Sequence, residues 1–159
     1  MTVQVGETLP NIELRVMGAE GPEAVQTADL FAGRKVILFA VPGAFTPGCS
    51  MTHLPGYVAL ADKIKAKGID AIICTSVNDA FVMDAWGKAQ NAEEIIMLAD
   101  GLGHWAEAVG LTQDLAGPQL GLRSQRYAML INDGQLELLN IDPKGIDLSS
   151  AETLLAAIS

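Results

Sequence analysis

Two short apolar runs limit the folds open to this chain more than any other feature of its sequence. One run extends from Lys35 to Val41 and ends at Pro42, and the other extends from Ala71 to Val77 and ends at Asn78. Uninterrupted runs of this length, rich in β-branched residues, are typical of strands covered on both faces, as in parallel sheets. The sequence therefore predicts two central parallel strands.

Helical periodicity follows each of these runs. Apolar residues at the i, i+3, i+4, i+7 spacing are Tyr57, Leu60, Ala61 and Ile64 in the first segment, and Val82, Ala85, Trp86 and Ala89 in the second. Such a stripe predicts a helix that packs one face on a sheet. A third short strand is predicted from Ile95 to Ala99, and a helix near Trp105 to Val109.

The end of the chain predicts a hairpin and a closing helix. Asp133-Gly134, between apolar runs at 127–132 and 135–141, is a strong signal for a tight antiparallel turn. Ser149 and Glu152 have the spacing of a capping box, ahead of an apolar stripe that ends at Ile158. Together these elements describe an α/β thioredoxin-like fold, a mixed β-sheet flanked by helices. No linker or repeat divides the chain, so we expect a single domain over residues 1–159.

Charge and hydropathy exclude several classes of partner. The net charge is −9 with only 10 Lys and Arg, so the chain has no basic stripe with which to bind nucleic acid or an anionic membrane surface. No apolar run approaches the roughly 18 residues that a membrane-spanning helix needs. The first ten residues lack the pattern of a signal peptide, and two cysteines cannot form a disulfide scaffold. We therefore expect a cytoplasmic protein.

The segment from Val41 to Ser50 carries the chemistry that the sequence indicates. It contains Pro42, Gly43 and Pro47 just before Cys49, and it joins a central strand to the next helix. Ligands of open α/β sheets bind at such strand ends. Cys49 should lie in the first helical turn, where unpaired backbone N–H groups and the helix dipole favour a thiolate, which is the reactive form of cysteine.

The pattern Pro42-x3-Thr46-x2-Cys49, continued by Ser50-Met51-Thr52-His53-Leu54-Pro55-Gly56-Tyr57, closely resembles the active-site signature of the peroxiredoxins. Within that family the chain is most similar to the branch of human peroxiredoxin 5 and the plant type II proteins. Residues 76–82 and 126–134 resemble the same branch, so the similarity covers most of the chain. The resemblance implies a thiol peroxidase that reduces hydrogen peroxide and alkyl hydroperoxides in antioxidant defence, with no cofactor and no metal.

The resemblance also implies a role for each site residue. Cys49 is the peroxidatic cysteine that passes through a sulfenic acid, Thr46 orients the peroxide, and Pro42 shields the thiolate from water. Arg126 completes the site, because a permanently charged guanidinium can stabilise charge that spreads over sulfur and both oxygens. The backbone amides of Gly48 and Cys49 are expected as further donors to the substrate. A homodimer formed at the active-site edge, with Phe45 and Phe81 as contacts, is a further implication.

The sequence leaves open how the sulfenic acid is reduced. A human-like member has a resolving cysteine near the C-terminus, but residues 145–150 of this chain contain none. Cys74 lies in an apolar strand and is expected to be a buried, inert core residue. We therefore expect a one-cysteine cycle in which glutathione forms a mixed disulfide that glutaredoxin, or else thioredoxin, removes. The sequence does not exclude that Cys74 resolves Cys49 after local unfolding.

Other readings of these residues lead to different chemistry. His53 could pair with Cys49 as a metal ligand or as a base, but a hydrogen-bonding His53 is favoured because no second Cys/His pair lies at ligand spacing. A disulfide exchanger of the thioredoxin type needs a C-x-x-C motif, which is absent. The alternative from another class is a noncatalytic thioredoxin-like redox sensor or partner-binding module that uses Cys49.

Overall fold

A seven-stranded mixed sheet forms the centre of the computed structural model, which describes residues 1–158. Ser159, the last residue of the expected domain, lies outside the described residues. The strands are β1 (Glu13–Gly18), β2 (Gly21–Gln26), β3 (Lys35–Ala40), β4 (Ala71–Ser76), β5 (Ile95–Ala99), β6 (Thr112–Leu115), β7 (Gly121–Ser124), β8 (Arg126–Asn132) and β9 (Gln135–Asp142). The helices are α1 (Thr27–Phe31), α2 (Leu54–Ala66), α3 (Ala80–Ala89), α4 (His104–Val109) and α5 (Ala151–Ile158).

The main sheet has the order β2-β1-β5-β4-β3-β8-β9, and β6 and β7 form a separate two-stranded sheet. Strands β3, β4 and β5 are parallel, whereas β8 pairs antiparallel with β3 on one side and with β9 on the other. The predicted central strands and the terminal hairpin are therefore confirmed. The thioredoxin-like fold with a mixed sheet and flanking helices is confirmed as well.

Both faces of the central strands are covered, as their apolar composition predicts. Alternate residues of β3 point into two cores, with Ile37 and Phe39 in one and Val36 and Leu38 in the other. Residues of α2, α3 and α5 pack on the first face, and residues of α1 and α4 pack on the second. All six residues of β4 are buried, so burial of apolar side chains stabilises this strand on both sides.

Periodicity did not indicate the elements of the first 34 residues or the β6–β7 hairpin. Strand β2 lies at the sheet edge, contains Pro22 and is largely exposed, so it has no apolar pattern to detect. Strand β1 pairs with β5 only at Arg15 and Ala99. Only Leu14 of the β1–β2 hairpin is buried in the core, with Val16 and Val25 packed partly against it, so the buried part of the hairpin is too small to give a clear pattern.

The closing helix is confirmed, but its cap lies one residue later than the spacing predicts. The hydroxyl of Ser150 accepts a hydrogen bond from the backbone N–H of Thr153 at 3.2 Å, which is the geometry of an N-cap. Ser149 does not cap the helix, because its hydroxyl donates to Asp142 at 2.6 Å. Among the described residues, no helix is both long and apolar enough to cross a membrane.

Candidate functional site

The loop that follows β3 leads directly into a helical segment that begins at Pro47. Proline suits the first helical position because that position needs no N–H donor. Cys49 is the third helical residue and opens a π-helical turn, Cys49–His53, which continues into α2. The prediction that Cys49 lies in the first helical turn is therefore confirmed. The sequence did not predict that this turn is a π-helix.

The loop is tied to the end of the neighbouring strand β4. The backbone N–H of Ala44 donates to the side-chain oxygen of Asn78 at 3.0 Å, and the hydroxyl of Ser76 donates to the same oxygen at 2.6 Å. The carbonyl of Thr46 accepts from the N–H of Ser50 at 2.9 Å, as the first helical hydrogen bond. These contacts hold the segment before Cys49 at the carboxyl end of the parallel strands.

Arg126 is the residue that touches the cysteine sulfur. Its Nη2 donates to Cys49 Sγ at 3.1 Å, and Cys49 is 0% exposed. The two residues are 77 positions apart, and they meet because β8 runs antiparallel to β3 with Tyr127 opposite Ala40. A guanidinium at hydrogen-bond distance can stabilise negative charge on the sulfur and on an attacked oxygen in the transition state.

Thr46 and Gly48 flank the cysteine on its N-terminal side. The hydroxyl of Thr46 donates to the carbonyl of Gly43 at 2.6 Å, so its lone pairs remain to accept a hydrogen bond from a ligand. Gly48 has helical backbone angles, and a Cβ at this position would lie 3.5 Å from Arg126 Nη2. The structure therefore brings Thr46, Gly48, Cys49 and Arg126 together.

Pro42 lies at the same site but is held by a second arginine. Its carbonyl accepts from Nη1 of Arg123 at 3.3 Å, and Arg123 also donates through Nε to Leu120 at 3.0 Å. A Cβ on Gly43 would lie 3.0 Å from that Nη1, so the close approach favours glycine. Arg123 was missed from the sequence, since no motif distinguishes it from a surface charge.

His53 lies behind Arg126 and bonds to it. Arg126 Nη1 donates to His53 Nδ1 at 2.7 Å, and His53 Nε2 donates to the carbonyl of Ser149 at 3.0 Å. Because arginine can only donate, Nδ1 must be the unprotonated nitrogen of a neutral ring. The pKa of His53 is lowered from 6.5 to about 4, mainly by burial; the Ser149 bond opposes this shift and the Arg126 charge adds to it. The favoured hydrogen-bonding interpretation is confirmed.

This buried neutral histidine predicts a loss of stability in acid. Between pH 6.5 and pH 4 the unfolded chain binds a proton at His53 and the folded protein does not, so stability is present above pH 6.5 and is lost as the pH falls. At pH 4.5 the expected loss is about 2 to 3 kcal/mol relative to pH 7. Urea unfolding at both pH values measures it.

A His53→Gln variant is the matched control, because glutamine keeps a donor and an acceptor but does not titrate. We expect the difference in unfolding free energy between pH 7 and pH 4.5 to be smaller in this variant by about 2 to 3 kcal/mol. Arg126 and Asp142, the charged neighbours of His53, are present in both proteins. An equal acid loss in the two proteins would show that His53 titrates normally.

Cys74 lies in β4 between Phe39 and Met97 and is 0% exposed. Burial raises the pKa of its thiol well above the usual value, and a negative charge at Cys49 raises it further. Both cysteines are free. The expectation of a buried core thiol at Cys74 is confirmed.

Large apolar side chains are exposed on the loop before Cys49, on the π-helical turn and at the start of α3. Phe45, Met51 and Phe81 are 55%, 79% and 66% exposed, respectively. Phe45 also has a φ of 64°, an uncommon conformation for a bulky residue, and its ring lies 6.5 Å from that of Trp86. The loop thus holds an aromatic side chain outward at a strained backbone position, as often found at functional sites.

The sequence of this chain is similar to those of known proteins. The Redoxin family model matches residues 4–155. Peroxiredoxin-2D of Arabidopsis thaliana is 43% identical over 159 residues, which covers 98% of this chain and 98% of the relative. Peroxiredoxin-2E-2, a chloroplastic protein of Oryza sativa subsp. japonica, is 46% identical over 164 residues, which covers 99% of this chain and 73% of the relative.

Solved structures show the same architecture. Reduced Prx3 of Vibrio vulnificus in complex with H₂O₂ is 57% identical, with a TM-score of 0.96 and coverage of 99% of this chain and 100% of that one. Peroxiredoxin 5 of Alvinella pompejana is 37% identical, with a TM-score of 0.87 and coverage of 98% and 97%.

Proposed function

Because this chain belongs to the redoxin family, on the type II branch of the peroxiredoxins, we propose that its thiol peroxidase reaction is a one-cysteine cycle centred on Cys49. The contact of 3.1 Å between Arg126 Nη2 and Cys49 Sγ carries the proposal. It places a cationic donor where negative charge lies on the sulfur and develops in the peroxide transition state.

In the first step the Cys49 thiolate attacks one peroxide oxygen and the O–O bond breaks. Sulfur is oxidised to a sulfenic acid, and the other oxygen leaves as hydroxide or alkoxide and takes up a proton. Arg126 stabilises the negative charge as it moves from sulfur to the leaving oxygen. Thr46, whose own proton is donated to Gly43, accepts the peroxide O–H and so orients the substrate.

Hydrogen peroxide is the substrate that the relatives support best. The Vibrio vulnificus relative has been crystallised in its reduced form in complex with H₂O₂. A cysteine that is 0% exposed favours small peroxides, because a bulky substrate cannot reach the sulfur without movement of the loop. We therefore propose hydrogen peroxide and small alkyl hydroperoxides as the substrates.

For the second step we propose glutathione as the thiol that attacks the sulfenic sulfur. A mixed disulfide forms and water is released. A glutaredoxin thiolate then attacks the glutathione sulfur, Cys49 leaves as the thiolate, and a second glutathione removes the first from glutaredoxin as glutathione disulfide. Cys74 is a poor competitor because its burial disfavours the thiolate that would have to attack. This external thiol supply fits a reducing compartment, and we propose the cytoplasm, which cell fractionation would test.

Coupled oxidation of NADPH tests the recycling route. With hydrogen peroxide we expect sustained turnover in the glutathione, glutaredoxin and glutathione reductase system, and the same rate for Cys74→Ser. Turnover only in the thioredoxin system would show that thioredoxin is the reductant, and the proposed peroxidase activity would stand. Oxidation of one equivalent with no turnover in either system would favour the noncatalytic sensor, an alternative that the relatives do not favour.

We also propose a homodimer formed at the active-site edge, since Phe45 and Phe81 expose large apolar surfaces there. Phe81→Glu would bury a charge in such an interface and is expected to shift the protein toward monomer by at least about tenfold in dissociation constant. Sedimentation velocity over a dilution series measures this shift. An unchanged sedimentation coefficient would contradict this interface. Val5→Glu is the matched surface control, because Val5 is 61% exposed and lies beside the β8–β9 turn, away from the active-site edge.

A further inference from the structure

The loop that joins β9 to α5 folds around a single buried carboxylate. Asp142 is 6% exposed and accepts four hydrogen bonds, from the N–H groups of Asp147 (3.0 Å), Leu148 (3.1 Å) and Ser149 (2.8 Å) and from the Ser149 hydroxyl (2.6 Å). Burial alone would raise the pKa of Asp142, but these bonds together hold it below its usual value. An ionised carboxylate thus determines where residues 147–149 lie.

The carbonyl of Ser149 is directed by this loop into the protein interior. It accepts from two buried donors, His53 Nε2 at 3.0 Å and the Tyr57 hydroxyl at 2.7 Å. Tyr57 is itself fixed, because its ring stacks on Phe39 with centroids 3.9 Å apart and planes 6° apart. The carbonyl therefore has little freedom to move relative to the imidazole.

We propose that Asp142 and Ser149 are positioning residues of the peroxidase reaction, because they hold the carbonyl that selects the tautomer of His53. A carbonyl can only accept, so Nε2 must carry the ring proton and Nδ1 is left as an acceptor. Nδ1 then receives Arg126 Nη1 at 2.7 Å, which leaves Nη2 at 3.1 Å from Cys49 Sγ. The opposite tautomer would place an N–H against the guanidinium.

The sheet provides a second link between the two ends of this chain of contacts. Arg126 and Asp142 are opposite each other in the β8–β9 ladder, so the same backbone pairing fixes the positions of both residues. The arginine is thereby fixed through its backbone by β9 and through its side chain by the loop that follows β9. This inference depends on Cys49 as the reacting sulfur, as proposed above.

The test combines the tautomer of His53 with the rate of Cys49 oxidation. Asp142→Asn removes the charge and two of the acceptor positions, and we expect the Nδ1–H form of His53 to appear in the ¹⁵N spectrum of the imidazole. We expect the second-order rate constant for oxidation of reduced protein by H₂O₂ to fall about tenfold to a hundredfold, comparable to the loss of partners that orient other functional histidines.

Asn140→Ala is the matched control. It removes a hydrogen bond of 2.9 Å that the Asn140 side chain donates to the Leu148 carbonyl of the same loop, and it leaves the bonds of Ser149 in place. We expect this variant to keep the wild-type rate and tautomer. The proposal is overturned if Asp142→Asn keeps the wild-type rate and tautomer. It is also overturned if Asp142→Asn and Asn140→Ala lose rate equally with an unchanged tautomer.

Ser149→Ala decides the matter if Asp142→Asn fails to fold. It removes the hydroxyl bond to Asp142 and retains the carbonyl, and we expect a rate at least about threefold below that of Asn140→Ala, as for one lost hydrogen bond. A rate equal to that of Asn140→Ala overturns the proposal. If wild-type protein does not react with H₂O₂, the proposed function fails, while the ¹⁵N tautomer of His53 still tests the positioning.

Discussion

Cys49→Ser is expected to lower the rate of peroxide reduction to the uncatalysed background, a loss of roughly a millionfold, as for other enzymes that lose their nucleophile. A serine hydroxyl stays protonated near neutral pH and reacts only when a base takes its proton. Among residues 1–158, no side chain bonded within this site is free to act as that base. His53 has its lone pair on Nδ1 occupied by Arg126, and its Nε2 proton bonds to Ser149.

Cys74→Ser is the matched control, because it makes the same substitution at the other cysteine. Cys74 lies in β4 and is 0% exposed, so the added hydroxyl affects stability more than reaction. We expect its single-turnover rate with H₂O₂ to stay within about twofold of wild type once folding is verified by thermal unfolding. Peroxide consumption by Cys49→Ser at the wild-type rate would refute the assignment of the nucleophile.

The fold could be predicted where burial leaves a strong periodic pattern. The strand from Ile95 to Ala99 has the bounds that its apolar run predicts, and the two central strands differ from their runs by one residue at the end. The β1–β2 hairpin could not be predicted, because an exposed edge strand leaves no such pattern. The cap of α5 was misplaced because Asp142 competes for the Ser149 hydroxyl, a contact seen only in three dimensions.

The site also contains residues that the sequence predicts and residues that it does not. Pro42, Thr46 and Cys49 lie within eight consecutive residues, in the loop after β3 and the first turn of the helical segment, so their spacing alone places them together. Arg126 is brought to the sulfur by antiparallel pairing of β8 with β3, which no local pattern encodes, and only the family resemblance located it. Asp142 and Ser149 act through loop backbone groups, and backbone groups leave no signature in the sequence.

Thr46→Val is expected to reduce the rate constant for oxidation of Cys49 by about a hundredfold to a thousandfold, with little change in the thiolate fraction of Cys49. The Thr46 hydroxyl donates to the Gly43 carbonyl and not to the sulfur, so its removal leaves the Arg126–Cys49 contact intact. Stopped-flow oxidation by H₂O₂ measures the rate, and the ultraviolet absorbance of the thiolate measures ionisation as a function of pH.

Ionisation of the cysteine can account for only a small part of the rate acceleration. A free thiol with a pKa of about 8.5 is already roughly 7% ionised at pH 7.4, so complete ionisation gains only about tenfold to fifteenfold in nucleophile. Enzymes commonly accelerate reactions by a millionfold or more, so most of the effect must come from groups that act on the transition state. Thr46 is such a group if it accepts the peroxide O–H and aligns the O–O bond with the sulfur.

Thr46→Ser provides the control, because it keeps the hydroxyl and removes only the methyl group. We expect this variant to retain activity within about tenfold of wild type, since the hydroxyl can still donate to Gly43 and accept from the peroxide. A fall in the thiolate fraction of Thr46→Val in proportion to its rate would instead assign Thr46 to ionisation of Cys49. In that case Arg126 alone would remain as the side chain that acts on the transition state.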